Sequence, residues 1–319
     1  MLENDAKMQN AKSRLVRTIA IAILTLAIIA VLISAIVLPG MEILFLRKGF
    51  EYAREKTMSV MPTVEGFNPE IHRHDPLDVS ESFVAISEAL RIDTLLSEDF
   101  QKNSADFMTL FKNCYDDQVI MPEEQTRIIE GLENLQRYLL TTHFSEIQRN
   151  LAMKVGKQMP GIDNDDLQGI LEYESVAIHN SEAKLKMTGA LSLKLVNSYY
   201  THIDDGEISR EEAEKLYELA QKIERFQIRN EIAGASKSIF SSDEFAKFPQ
   251  KQAFRENISI ILSKMRDIDY NYSRIKPALR KFITLCKEQE LGSDYEIYDL
   301  KPFFEISENA KDYAIDSGS

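Results

Sequence analysis

The sequence predicts an all-α protein in which a single N-terminal transmembrane helix is followed by a multi-helix bundle. Residues 18–38 form an apolar run of 21 residues without a charge. Glycine and proline are scarce, at 12 and 9 of 319 residues, as is typical of chains with long helices. Apolar residues also recur at steps of three and four through most of the remaining chain, which is the spacing of one helix face.

The apolar run is long enough to cross a membrane. At about 1.5 Å of rise per residue it reaches about 31 Å, the thickness of a hydrocarbon core. A cleavable signal peptide would have a shorter apolar region and a small-residue cleavage site, whereas this run ends in the sequence VLPG. We therefore predict an uncleaved signal anchor over residues 15–39 that contacts the lipid bilayer through residues 18–38. Residues 1–14 are predicted to be a short cytoplasmic tail.

The orientation of this anchor depends on its flanking charges. Four Lys or Arg residues precede the run, and four follow it before residue 60, so the count of flanking charges alone leaves both orientations open. Arg14 and Arg17 lie close against the run, whereas Arg47 lies nine residues beyond its end. Because positive charges near a helix end favour the cytoplasmic side, we predict a cytoplasmic N-terminus. The bundle would then lie outside the cytoplasm, facing the periplasm of a bacterial inner membrane.

Composition argues against a nucleic-acid partner and leaves a disulfide between the two cysteines undecided. The net charge of −13 argues against a nucleic-acid partner, which requires clustered Lys and Arg. The two cysteines, Cys114 and Cys286, fall at apolar positions of helical patterns. This favours buried free thiols, although sequence alone does not decide whether the two form a disulfide.

The part after the anchor divides into three segments. Pro39 and Gly40 are predicted to break or kink the helix, and residues 40–61 then show helical spacing typical of a juxtamembrane helix. Residues 62–80 contain three prolines and a glycine and are predicted to be a linker. Residues 81–319 are predicted to form the helical bundle, as one domain or two subdomains.

Local signals mark several helices within the bundle. Pro122 followed by two glutamates predicts a helix start, since proline suits the first turn and acidic side chains suit its positive dipole. Residues 191–196 alternate like a strand, but helical patterns on both sides favour a helix. Ser209 followed by Glu212 predicts a capping box. Residues 298–315 predict a shorter final helix.

The longest regular pattern lies near the C-terminus, where ten residues recur at alternating steps of four and three. They are Phe254, Ile258, Ile261, Met265, Ile268, Tyr272, Ile275, Leu279, Phe282 and Cys286. This is the spacing of a coiled coil or of a helix in an antiparallel bundle, and the bulky aromatic residues favour the bundle. Because Pro277 cannot donate to the carbonyl four residues earlier, we predict a kink or helix boundary near residues 273–276. The stripe is the predicted packing or interaction surface.

One turn resembles the second half of an EF-hand calcium loop. Asp205, Gly206, Glu207 and Glu212 fit that half, but the first two ligand positions hold Thr and Ile instead of carboxylates or amides. Losing two of about seven oxygen ligands predicts weak calcium binding or none. The capping box already accounts for Glu212.

A second candidate metal site is the sequence EIHRHD. The spacing of His72 and His74 would place both rings on the same side of an extended segment, where zinc would contact them together with Asp75. Further ligands would have to come from elsewhere in the chain, so solvated linker residues are the simpler interpretation. No cofactor is therefore predicted, with calcium and zinc as the alternatives.

The motifs of common enzymes are absent from the sequence. It contains no H-E-x-x-H, G-x-S-x-G, phosphate-binding P-loop or glycine-rich dinucleotide turn. The favoured hypothesis is a membrane-tethered interaction or scaffold protein whose bundle binds other membrane or envelope proteins. Association of the chain with itself into an oligomer is compatible with this hypothesis. The alternative is a ligand-sensing extracytoplasmic domain that signals through a partner. A metal-dependent hydrolase using EIHRHD is a third hypothesis.

Overall fold

The computed structural model describes residues 38–62, 64, 66–68, 74–95, 97–183, 185, 187–203, 206–266, 271–289 and 299–315. Within these residues all regular secondary structure is helical, which confirms the predicted all-α class. The predicted tail and, except for Leu38 and Pro39, the predicted anchor lie outside the described residues. Among the helices that are described, none combines the length and apolarity that a membrane span requires.

The helices are numbered here in chain order. They are α1 (residues 38–60), α2 (Pro76–Ala89), α3 (Ile92–Leu95), α4 (Glu98–Cys114), α5 (Pro122–Thr141), α6 (Phe144–Gln158), α7 (Asn164–His179), α8 (Gly189–His202), α9 (Arg210–Phe240), α10 (Asp243–Lys247), α11 (Lys251–Lys264), α12 (Tyr272–Glu288) and α13 (Leu300–Ile315).

Two apolar clusters form the interior of the bundle. The N-terminal cluster consists of the buried apolar residues from Phe50 to Ile223, and the C-terminal cluster consists of those from Ile228 to Ala314. The 31-residue helix α9 contributes to both clusters and packs against α6, α7, α8, α10, α11 and α12. Helix α9 is therefore the element shared by the whole bundle.

Several local predictions are confirmed. Pro122 is the first residue of α5, and residues 191–196 lie inside α8. Ser209 caps α9, and Glu212 completes the capping box: the Ser209 N–H donates to its carboxylate at 2.8 Å, and the Glu212 N–H donates to Ser209 Oγ at 3.3 Å. The final predicted helix is α13, which begins at Leu300. Each of these signals depends on a few neighbouring residues only, so it does not require tertiary contacts.

The long C-terminal stripe is divided between two helices. Helix α11 ends at Lys264 and α12 begins at Tyr272, one residue before the predicted boundary, while Pro277 lies inside α12. The intervening sequence contains two aspartates and an asparagine, residues that compete with helix hydrogen bonds. Ile268 lies outside the described residues. The other stripe residues are at most 6% exposed and belong to the C-terminal cluster, so they pack the core.

The predicted linker is shorter than its sequence indicates. Helix α2 begins at Pro76, so the last five residues of the predicted range 62–80 are helical. Asp75 is the N-cap of α2 and accepts a hydrogen bond from the Leu77 N–H at 2.9 Å. Both Asp75 and Asp78 are only 3% exposed, because their carboxylates bind arginines from distant helices.

A buried group of four charges joins α2 to α9 and to the turn that follows α11. We call Asp75, Asp78, Arg229 and Arg266 the first ion cluster. The Arg229 guanidinium donates to Asp75 at 2.6 Å and to Asp78 at 2.8 Å. Arg266 donates to Asp75 at 2.8 Å and also to Asp78. The two positive charges balance the two negative charges. Charged side chains can be buried to this extent only when they are paired in this way.

A second ion cluster, formed by Asp166, Glu224, Lys276 and Arg280, joins α7, α9 and α12. The Lys276 ammonium donates to Asp166 at 2.6 Å and to Glu224 at 2.8 Å. Arg280 donates to Asp166 at 3.3 Å and also to Glu224. Because α7 belongs to the N-terminal cluster and α12 to the C-terminal cluster, this group also bridges the two apolar clusters.

Helix α1 is divided into a packed half and a protruding half. Phe50, Ala53 and Thr57 are fully buried against the bundle. Towards the N-terminus of α1, apolar side chains are exposed by 43–68%, and these are Leu38, Met41, Leu44 and Phe45. Pro39 and Gly40 are both helical, so the predicted break does not occur after Leu38.

The two cysteines are free and lie in different clusters. Cys114 is buried in the N-terminal cluster and Cys286 in the C-terminal cluster. Burial raises the pKa of the Cys114 thiol and raises that of Cys286 to about 12. The disulfide left open by the sequence is therefore absent, and both thiols are protonated at neutral pH.

Candidate functional site

Of the predicted zinc residues, Asp75 is used for folding, and His74 is half-buried just before it. His72 lies outside the described residues. Asp75, with its carboxylate bound to Arg229 and Arg266, caps α2 and is buried. Within the described part of the chain, no group of three or more His, Cys, Asp or Glu side chains has an arrangement that would hold a metal ion.

The turn that resembles half of an EF-hand also serves a helix end. Asp205 lies outside the described residues, and Glu207 is exposed. Glu212 accepts from the Ser209 N–H and lies 3.1 Å from His202 Nδ1. The Ser209 hydrogen bonds, and secondarily the nearby His202 ring, lower the pKa of the Glu212 carboxyl. Its carboxylate is therefore engaged in the capping box.

A cleft of about 470 Å³ lies between the end of α2, α5 and α8. We call it the α2–α5–α8 cleft. Its volume falls within the range of about 300–1,000 Å³ that is typical of small-molecule sites. The residues that line it are Ala89, Arg91, Thr94, Ser97, Tyr138, Leu139, Thr142, His143, Leu193, Val196, Asn197 and Tyr200. The cleft therefore combines an apolar base with several hydrogen-bonding groups.

Helix ends place most of the polar groups. Arg91 lies two residues beyond the end of α2, and His143 immediately precedes α6. Ser97 caps α4 by accepting from the Phe100 N–H, and its hydroxyl is 2.8 Å from that of Tyr138. Because Arg91, Ser97 and His143 lie at helix ends, they line the cleft without occupying the buried face of a helix.

The opposite wall comes from α8. Leu193 and Val196 are buried and provide apolar surface, while Asn197 and Tyr200 provide polar groups. Residues 193, 196, 197 and 200 recur at steps of three and four, so they lie on one face of this helix. The Asn197 Nδ2 atom is shielded from solvent and has no hydrogen-bond partner among the described residues.

A histidine and a tyrosine close one end of the cleft. The Nδ1 atom of His143 lies 3.2 Å from the Tyr200 hydroxyl, and the two rings meet edge to face at 5.4 Å. Burial, together with the negative charge of Glu146, raises the pKa of the Tyr200 phenol above its ordinary value of 10. Tyr200 is therefore a neutral hydrogen-bonding group at physiological pH.

The charge within the cleft is unlike that of the whole chain. Arg91 is exposed and forms no ion pair with a described residue, and none of the described lining residues is acidic. The chain as a whole has 51 acidic and 38 basic residues. The polar and aromatic lining groups are hydrogen-bonding side chains, rings and one permanent cation, and together with the apolar residues they suit ligand binding.

Helix α1 contacts the region beside the cleft. Arg47 on α1 donates from Nε to the Ser87 carbonyl at 3.1 Å and from its terminal nitrogen to the Leu90 carbonyl at 3.2 Å. These carbonyls belong to the end of α2, where Ala89 and Arg91 line the cleft. Arg47 thus ties the protruding helix to the rim of the cleft.

Sequence reasoning did not identify this site. Its lining residues range from Ala89 to Tyr200 and have no fixed short spacing, so they form no motif. His143 stands alone in the sequence, and nothing near it in the chain indicates Tyr200 as its neighbour. Only the polar positions on α8, beside apolar ones on the same face, gave a weak local signal.

Comparisons with known proteins add no relative: no family model matches the chain, and no curated protein or solved structure matches it either.

Proposed function

We propose that the protein is a membrane-tethered helical domain that binds a small molecule in the α2–α5–α8 cleft and signals through a partner protein. The observation that carries this proposal is the cleft itself, a space of about 470 Å³ with aromatic, hydroxyl, amide and guanidinium groups over an apolar base. The Arg47 contacts with the end of α2 supply a physical connection from this cleft to α1.

The tether in this proposal is the apolar run at residues 18–38. The exposed apolar residues at the start of α1, including Leu44 and Phe45, follow that run directly. Side chains of this kind are stable at the headgroup boundary of a bilayer, whereas their exposure to water is unfavourable. A helix that enters the bundle from this boundary would hold the cleft close to the membrane surface.

A screen of small molecules against the full chain in detergent tests the binding function. We expect at least one compound to raise the melting temperature of the wild type. Thr142→Trp would fill the exposed edge of the cleft and abolish that shift. Thr141→Trp is the matched control, because Thr141 is the exposed neighbouring residue that does not line the cleft. Stabilising compounds that act equally on both variants would contradict the proposal.

The orientation is proposed to place the bundle outside the cytoplasm. A reporter active only outside the cytoplasm, fused to Ser319, tests this directly. An active fusion is the expected result, and a silent fusion together with an active cytoplasmic reporter at the same residue would reverse the orientation. The second outcome would direct the search for partners to the cytosol.

A second candidate function is a scaffold that binds other membrane or envelope proteins without a ligand. The exposed apolar face of α1 favours it, because such a face suits a partner helix beside the membrane. The C-terminal stripe does not support it, since the described residues of that stripe are buried in the core. Crosslinking in intact membranes from a photoreactive residue at Phe45 would identify a partner. Labelling of lipid alone would count against the scaffold.

A further inference from the structure

We infer that the α2–α5–α8 cleft binds a small organic monocarboxylate, with the carboxylate at Arg91 and the apolar part of the ligand against α5 and α8. This inference rests on the proposed function and names the chemical class of its ligand. Its basis is the combination of three features of the described lining within one cleft: a guanidinium that forms no ion pair with a described residue, an amide without a described hydrogen-bond partner, and an apolar base.

The charge of the lining residues selects an anion. Arg91 has no ion-pair partner among the described residues, and no described lining residue carries a negative charge. In a chain with a net charge of −13, most surfaces repel anions. This cleft instead presents a cation whose planar fork of N–H groups matches the two oxygens of a carboxylate.

The number of cations favours a single negative charge. Arg91 is the one Lys or Arg side chain among the described lining residues, whereas a phosphate ester would bring close to two negative charges. A buried or half-buried charge without a partner is costly, so one guanidinium matches one carboxylate better than a dianion. Hydroxyl groups of Ser97, Thr94 and Tyr138 add neutral donors to the same cleft.

The other lining residues of the cleft indicate what the part of the ligand beyond its carboxylate should be. Leu139, Leu193 and Val196 are at most 8% exposed and offer their apolar surfaces to the cleft. The amide of Asn197 has N–H donors that no described residue accepts. A ligand with a short aliphatic or aromatic body would therefore bury apolar surface on α5 and α8 while its carboxylate meets Arg91.

Isothermal titration calorimetry on the full chain in detergent tests the inference with two matched pairs of probes, hexanoate with hexanamide and benzoate with benzamide. Within each pair the apolar body is the same and the charge differs. We expect at least one acid to bind, and its neutral amide to bind at least about tenfold more weakly. Added salt should weaken the acid more than the amide.

Arg91→Gln is the decisive variant. It removes the cation from an exposed position, so the fold should be retained. We expect it to weaken binding of the acid at least about tenfold and to leave the amide unchanged. Arg149→Gln, an exposed arginine of α6 outside the cleft, is the control and should change neither affinity.

The outcomes separate this inference from the function on which it rests. Equal binding of an acid and its amide, or unchanged acid binding in Arg91→Gln, would overturn the carboxylate class while leaving a ligand-binding cleft. Absence of binding by both acids would also overturn it. The binding function itself would fail only if the compound screen gave no stabilisation that depends on Thr142.

Discussion

At the scale of single residues, the buried side chain of Arg229 requires several partners at once. The Arg229 side chain is 5% exposed. Its guanidinium donates to Asp75 and Asp78, and its Nε donates to the Leu262 carbonyl at 3.2 Å. The ring of Phe67 lies 5.3 Å away. Burying these charges is favourable only while every partner is present, because an isolated buried charge is strongly destabilising.

Substitution of Arg229 by Met should therefore lower the free energy of unfolding by about 3–5 kcal/mol, since it leaves two carboxylates with Arg266 alone. Urea unfolding of the full chain in detergent, followed by far-ultraviolet circular dichroism, measures the change. Arg149→Met, at an exposed position on α6, should change stability by no more than about 0.5 kcal/mol. A loss in Arg229→Met as small as that control would show that the cluster adds little.

Asp78 predicts a specific dependence of stability on pH. Burial raises the pKa of its carboxyl from 3.8 to about 6, although Arg229 and Arg266 act to lower it and Asp75 acts to raise it. Between these values the folded state binds more protons than the unfolded state, so the free energy of unfolding falls as pH rises. The stabilising contribution is complete below about pH 4 and lost as pH rises through about 6.

Comparison of the wild type with Asp78→Asn isolates this contribution, because asparagine does not titrate. We expect the stability of the wild type relative to the variant to decrease by about 2–3 kcal/mol between about pH 4.5 and pH 7.5. Urea unfolding at both pH values gives the difference. A relative stability that stays constant or increases with pH would contradict the raised pKa.

At the scale of helices, Pro277 and Pro122 occupy different positions in their helices and should differ in their effect on stability. Pro277 is the sixth residue of α12 and is exposed, so its missing N–H and its ring disturb an interior turn. Pro122 is the first residue of α5, where the N–H has no partner within the helix. The position within the helix, and not the residue type alone, determines the energetic effect.

Pro277→Ala should raise the free energy of unfolding by about 1–3 kcal/mol, because alanine restores the donor and the helix propensity. Pro122→Ala is the matched control and should change stability by less than about 1 kcal/mol. Thermal unfolding of both variants in the same detergent compares them. If Pro277→Ala instead lowers the free energy of unfolding, the proline must stabilise α12 by more than the missing hydrogen bond costs.

At the scale of the whole molecule, the two apolar clusters are joined in three ways. Helix α9 contributes residues to both clusters. The first ion cluster ties α2 to the C-terminal part of α9, and the second ties α7 to α12. These shared elements favour cooperative unfolding of the bundle, in which the loss of one cluster removes partners from the other.

Phe254→Ala tests this cooperativity, because Phe254 is fully buried in the C-terminal cluster. The lost burial should destabilise the cluster by about 3–5 kcal/mol. Hydrogen exchange should then accelerate in α5 and α8 as well as in α11–α13. Phe45→Ala, which removes a ring that is 68% exposed, should accelerate neither region. Acceleration confined to α11–α13 would indicate two independently unfolding subdomains.

The sequence by itself determined the class of the bundle and the ends of several helices. The start of α5 at Pro122, the capping box of Ser209 and Glu212, and the helix at residues 191–196 follow from spacing and from neighbouring residues. These features depend on backbone geometry and on hydrogen bonds within a few residues, so a single chain segment contains all the information.

Tertiary structure alone decided the partners of polar residues that lie far apart in the sequence. Asp75 reads as a linker residue or a metal ligand in the sequence, yet Arg229, which is 154 positions away, makes it part of a buried ion cluster. Arg91 and Tyr200 meet at one cleft although no spacing relates them. Charge pairing and cleft formation depend on which helices pack together, and this is set by the sum of many weak contacts between distant segments.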